Sequence, residues 1–152
     1  MFWSRGNGWA AAALVQTLDS LPPTDPHKNE YELRFQQLAD RLLELQQPDG
    51  CWRSSLEDPQ EFPNPETSGT ALFIYSFAWG VRHGVLPPDK FLPAIWQGWE
   101  CIANHTTASG LGRCQQGGTA PAGAEKNNTF DFCVGSALLA AEQVWLVAVV
   151  SL

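Results

Sequence analysis

Apolar and polar positions alternate along this chain in two distinct patterns. Residues 8–18 (GWAAAALVQTL) are almost continuously apolar, rich in Ala and Leu and without a β-branched run, which predicts a helix buried all round. The Pro22-Pro23 pair stops it. Residues 30–47 (EYELRFQQLADRLLELQQ) place Phe35, Leu38, Leu42 and Leu45 at steps of three and four among charges, the pattern of a helix with one wet face. After a Pro-rich loop, 48–65, the stretch 67–81 (TSGTALFIYSFAWGV) reads as a second apolar helix with its polar residues gathered at the start. Residues 89–103 put Phe91, Ile95, Trp99 and Ile102 on one stripe, with Asp89 the expected N-cap. A Gly-rich polar loop covers 109–128, and 133–152 is apolar once more, interrupted by Glu142 and Gln143.

The order is buried, amphipathic, buried, amphipathic, buried, which is itself a repeat. Gly8, Gly69 and Gly135 fall near the start of each apolar segment, about sixty residues apart. An all-α architecture of about five helices follows, with helical hairpins arrayed side by side as a solenoid or a closed toroid. The apolar tail is long enough to raise a membrane span. Glu142 and Gln143 near its middle, and its likeness to the other two apolar segments, assign it to the core instead, with no membrane partner.

Composition narrows the picture. With 152 residues, 44% hydrophobic and 16% charged, the chain supports one compact core, a domain or a piece of one. The net charge of -7, with nine Lys and Arg that form no run, disfavours nucleic acid as a partner. Residues 1–9 lack the basic start, apolar stretch and small-residue cleavage site of a secretory signal. Cys51, Cys101, Cys114 and Cys133 form no CxxC pair and have no His at zinc-ligand spacing, so no metal site is expected and buried free thiols are the default state. Two sequons, Asn104-His105-Thr106 and Asn127-Asn128-Thr129, acquire meaning only in a glycosylating secretory pathway.

Candidate chemistry concentrates at the start of the chain. In FWSRGNGW, residues 2–9, Trp3 and Trp9 are plates able to stack on a sugar ring, and Arg5 offers a planar fork that suits a carboxylate. Gly6 and Gly8 let backbone approach a ligand. Together these residues suit an acidic sugar; the competing reading makes both tryptophans core anchors and Arg5 a helix cap. In the loop 47–69, Asp49 of PDG reads as a turn residue. Glu66, Thr67 and Ser68 stand at the start of an apolar helix on the same side as the first cluster, as lining of a cleft or as a cap. His27, His83 and His105 are isolated, and there is no Ser/His/Asp order, phosphate-binding P-loop or GxGxxG. Gln46, Gly50 and Trp52 (QxxxGxW) resemble a turn element of the terpene-cyclase toroids, but the DxDD acid motif of those cyclases is absent.

Several motifs in one order carry a stronger resemblance. WxRGxGW followed by an Ala/Leu helix, then DGxWRSSLxDP, PETSGTALFIYSFAWGVRHGVL and VGSALLAAE resemble the C-terminal half of the unsaturated glycuronyl hydrolases, glycoside hydrolase family 105 and its relative family 88, over nearly the whole chain. The resemblance implies the (α/α)6 toroid. It also implies a substrate, an oligosaccharide ending in a 4,5-unsaturated uronic acid such as unsaturated rhamnogalacturonan disaccharide, and a reaction without metal or cofactor. An aspartate protonates C4 of the vinyl ether, water adds at C5, and the hemiketal opens to release the neighbouring sugar. By position, Trp3, Arg5 and Trp9 correspond to substrate-binding residues.

Two departures accompany the resemblance. The family's VGTGAF-like segment reads VGSALL here, at 134–139, which bears on fine specificity. The family's general acid/base aspartate precedes WxRGxGW, where this chain has only Met1 and Phe2; Asp19 and Asp25 follow the motif and are not substitutes. A twelve-helix ring needs more than roughly 200 residues. The expectation is therefore that residues 1–152 are the C-terminal part of a single catalytic domain, inactive or weakly active alone, with an uncovered apolar face at the open end. The alternative is a non-catalytic carbohydrate-binding or scaffold remnant of the same fold.

Overall fold

The computed structural model describes residues 2–115, 117–118 and 120–150. Met1, and Ser151 and Leu152 of the expected tail helix, lie outside the described residues. Five helices run in chain order among the described residues: α1 (Ser4–Ser20), α2 (Lys28–Glu44), α3 (Thr67–Arg82), α4 (Pro88–Asn104) and α5 (Asp131–Val150). Two short antiparallel ladders interrupt them, β1 (Trp52–Arg53) with β2 (Pro65–Glu66) before α3, and β3 (Thr106–Thr107) with β4 (Gly110–Leu111) after α4. α3 lies between α1 and α5 as an inner row, while α2 packs on α1 and α4 packs on α3 from outside. This is an arc of an (α/α)6 toroid, as the alternating pattern and the resemblance predict.

α3 is the hub. Every residue from Thr67 to Gly80 is buried, and its aromatic face meets both the loop after α2 and helix α4. Trp52 sits edge-on to Phe73 and Phe77 at 5.2 and 6.0 Å between ring centres, and Phe77 meets Phe91 of α4 at 5.0 Å. The amphipathic α2 turns Phe35, Ala39 and Leu42 inward, as its period requires.

Close approach of α1 to α3 is made by glycine. A Cβ on Gly8 would stand 2.8 Å from Cβ of Leu72, and one on Gly69 would stand 2.8 Å from Oγ of Ser4. The turn after α2 is tied in the same economical way. Gln46 Nε2 donates to the carbonyls of Gly50 and Ala94, both at 2.9 Å, and Trp52 Nε1 donates to Leu42 O at 2.7 Å. Gly50 has φ +77° and its α-carbon lies against the Gln97 carbonyl, so no side chain fits there. Asp49 is the turn residue expected, its carboxylate accepting from Cys51 N and from Arg53. Burial pushes its pKa up, but those hydrogen bonds and the Arg53 charge outweigh it and leave the group below the ordinary carboxylate value.

Three expectations are corrected. α1 and α5 are not buried all round: α1 buries Ser4, Arg5, Gly8, Ala11, Ala12, Val15 and Leu18 and exposes the opposite face. α5 buries Cys133, Ser136, Ala140, Gln143, Val144 and Val147 while Leu138 and Trp145 are 67% and 63% exposed. Among the described residues each has an inner-row neighbour, α3, on one side only. By length and composition α5 is apolar enough to cross a membrane, and its buried face is the one packed on α3. Asp89 is not the N-cap of α4; the cap lies two residues earlier, at Pro87 with the helix starting at Pro88, because proline's fixed φ suits the first helical position. The cysteines are not free thiols. Cys51 bonds to Cys101 across 5.5 Å between α-carbons, and Cys114 to Cys133 across 6.2 Å. Pairing was hidden in the sequence because partners 50 and 19 residues apart meet only when α4 and α5 dock on α3.

Candidate functional site

The start of α1 is pinned before the helix begins. Ser4 N donates to Ser54 O at 3.0 Å and Leu56 N to Phe2 O at 2.8 Å, an isolated antiparallel bridge that sets Trp3 opposite Ser55. Trp3, the N-cap residue, is held half-buried there, and its Nε1 donates to Oε1 of Gln115 at 2.5 Å. Arg5 turns inward. Its guanidinium lies 4.4 Å from the Trp3 ring centre and 4.5 Å from that of Phe132, and Nη1 donates to the Gln115 carbonyl at 2.8 Å. At 3% exposure, burial lowers the Arg5 pKa while the Glu66 charge raises it. An arginine so placed stays cationic, and a desolvated cation over a ring gains on the order of 2 kcal/mol.

Glu66 anchors the other side. Its carboxylate is fully buried and caps α3, accepting from Ser68 N at 3.0 Å and Gly69 N at 2.7 Å. It also accepts from Ser68 Oγ, from Ser4 Oγ at 3.1 Å and from Gln115 N at 3.2 Å. Five donors and a helix N-terminus satisfy the oxygens of this buried carboxylate. Thr67 Oγ1 donates to Gly112 O at 2.8 Å and lies 3.5 and 3.4 Å from the sulfurs of Cys114 and Cys133. Glu66 is the cap of α3, Ser68 Oγ donates to it, Thr67 is tied to Gly112, and all three side chains are fully buried.

The structure therefore brings Trp3, Arg5, Gln115 and Phe132 into one stack, with Glu66 beneath Gln115. Trp9 is not in it. One turn and more along α1, it stands 45% exposed on the face turned away from α3. Gln115 and Phe132 escape sequence reasoning because Gln115 lies in a polar loop 110 residues from Arg5 and nothing local marks it. Phe132 carries a weak signal, an aromatic beside the Cys133 that fixes the start of α5.

The histidines do not converge on the stack. His83 stacks on Trp79 at 4.2 Å and reaches within 3.8 Å of Asp19, at the far end of α1. Among the described residues, Cys51, Cys101 and His105 have the spacing of a metal set, but the two sulfurs are bonded to each other and are not thiolate ligands.

Sequence comparison decides the kinship. The profile of Glycosyl Hydrolase Family 88 matches residues 1–146. The chain belongs to glycosyl hydrolase family 88. The chain is similar to the unsaturated 3S-rhamnoglycuronyl hydrolases of Formosa agariphila, 37% identical over 95% of this chain, and of an Alteromonas species, 34% identical over 95%. This chain covers 38% and 35% of those relatives' lengths. A solved family 88 glycosyl hydrolase from Bacteroides vulgatus superposes with TM-score 0.91 at 41% identity, over 96% of this chain and 43% of that one. The family 88 arc thus spans about two fifths of its relatives, with the Trp3–Arg5–Phe132 stack at the N-terminal ends of its inner helices.

Proposed function

We propose that this chain forms the C-terminal wall of a hydrolase that hydrates the vinyl ether of unsaturated uronic-acid-terminated oligosaccharides. The observation that carries the reading is the family 88 match over residues 1–146, two of whose relatives bear the name of rhamnoglycuronyl hydrolases. In it, Trp3 offers a sugar-stacking surface at the stack and Trp9 a separate exposed one further along α1, and Arg5, wedged between Trp3 and Phe132, supplies positive potential for the uronate. Glu66 and Gln115 hold that cation in place: Glu66 balances its charge, and Gln115 accepts from both Arg5 and Trp3.

The proton donor comes from elsewhere in the ring. Glu66 is committed to five hydrogen bonds as a cap, and Asp19 lies at the opposite end of α1. The test follows the loss of double-bond absorbance from an unsaturated rhamnogalacturonan disaccharide. The 152-residue chain is expected to turn over little or none alone, and to do so when joined to the N-terminal helices of a family 88 relative. In that joined form Arg5→Ala is expected to lower kcat/KM about ten- to hundredfold, the loss of a charged contact. Full turnover by the chain alone overturns the split of the site, and unchanged kinetics in Arg5→Ala return Arg5 to a purely structural role.

A further inference from the structure

We infer that Asn104 and Asn127 are acceptors of N-linked glycans. Both head a sequon, Asn104-His105-Thr106 at the end of α4 and Asn127-Asn128-Thr129 in the loop before α5. Folding brings the two, 23 positions apart in sequence, to one exposed groove of about 400 Å³. Thr129, which completes the second sequon, lines the same groove with Lys126 and Ser109.

A sequon alone says little, since the tripeptide also occurs in proteins that never meet the transferase. The independent observation is the state of the cysteines. All four are paired, and the pairs join separate elements, the α2–α3 loop to α4 and the β4–α5 loop to α5. Such bonds form and persist in an oxidising compartment, the kind in which asparagine-linked glycans are attached. The placement is also permissive. A bulky hydrated glycan is tolerated only on surface that stays in water. The groove shares no residue with the Trp3–Arg5–Phe132 stack or with the exposed apolar faces of α1 and α5, so glycans there leave both clear.

In the transfer, Nδ2 of the asparagine attacks the anomeric carbon of a polyprenyl-diphosphate-linked oligosaccharide. The new C–N bond replaces the C–O bond to diphosphate, the lipid diphosphate departs with the bonding pair, and the amide loses one proton; nothing is oxidised or reduced.

The test takes the protein from the cells that make it and treats it with a glycan-removing amidase in heavy-oxygen water, which converts each glycosylated Asn to labelled Asp. Peptide mass spectrometry is expected to find the label at Asn104 and Asn127 and not at Asn128, which has no Thr or Ser two residues on. Maleimide added without reductant should label none of the four cysteines. Peptides found only as unmodified Asn overturn the inference, and conversion at one position alone overturns it for the other. The substitutions Asn104→Gln and Asn127→Gln should each reduce the untreated mass by one glycan; a mass unchanged by both contradicts attachment at these sites.

Discussion

α3 and α5 are both apolar helices that open on a small-residue cluster, TSGTAL in one and CVGSAL in the other. α5 is the more apolar of the two, yet α3 is buried along its length and α5 along one face. The difference teaches that apolarity records how much surface a helix must hide, while its neighbours decide how much it does. α3 has α1, α4 and α5 around it, and α5 has α3 and a lighter contact with α4. The exposed stripe Val134, Leu138, Trp145 and Val149 is the face of α5 on which no other described element packs.

The same contrast runs through the starts of these helices, and substitution there breaks it most severely at Glu66. Glu66→Ala leaves the first amides of α3 uncapped and Gln115 N without its acceptor, a loss expected at about 3 kcal/mol or more. Thermal unfolding followed by circular dichroism measures it, and a loss within 1 kcal/mol, roughly that of a replaceable cap, would remove Glu66 from its central place.

Two of the three repeated glycines separate next. Gly8→Ala drives a methyl into Leu72 and is expected to cost about 1–3 kcal/mol. Gly135 has open space around it, so Gly135→Ala is expected to stabilise by about 0.5–1 kcal/mol through helix propensity alone. Urea denaturation of the two variants should give opposite signs; the same sign in both would mean that α5 also packs closely at its start.

The smallest effect is expected on the outer face of α5. Leu138→Lys with Trp145→Lys should change stability by less than about 0.5 kcal/mol per site while reducing self-association in sedimentation velocity. A large destabilisation would show that this face is covered. The disulfides that hold the arc, closing loops of 50 and 19 residues, are worth about 4 and 3 kcal/mol by the chain-entropy argument.

Much of this was legible beforehand. The periods of α2 and α4 placed Phe35 and Phe91 inward, and the turn chemistry of Asp49 and Gly50 was written in PDG. The cluster FWSRGNGW announced itself by composition, but the partners that give Arg5 its setting did not. Gln115 and Phe132 come from a loop and a helix start more than a hundred residues on. Local patterns carry no record of which distant residue will stand beside them.

By itself, then, the sequence determined the number, kind and order of the helices, because hydrophobic period and proline and glycine punctuation act within a few residues of one another. Only the tertiary structure decided which helix is sealed, which cysteines pair and what surrounds a buried guanidinium. Those outcomes depend on surfaces that meet across the whole chain, where close packing and the cost of an unpaired charge admit few arrangements.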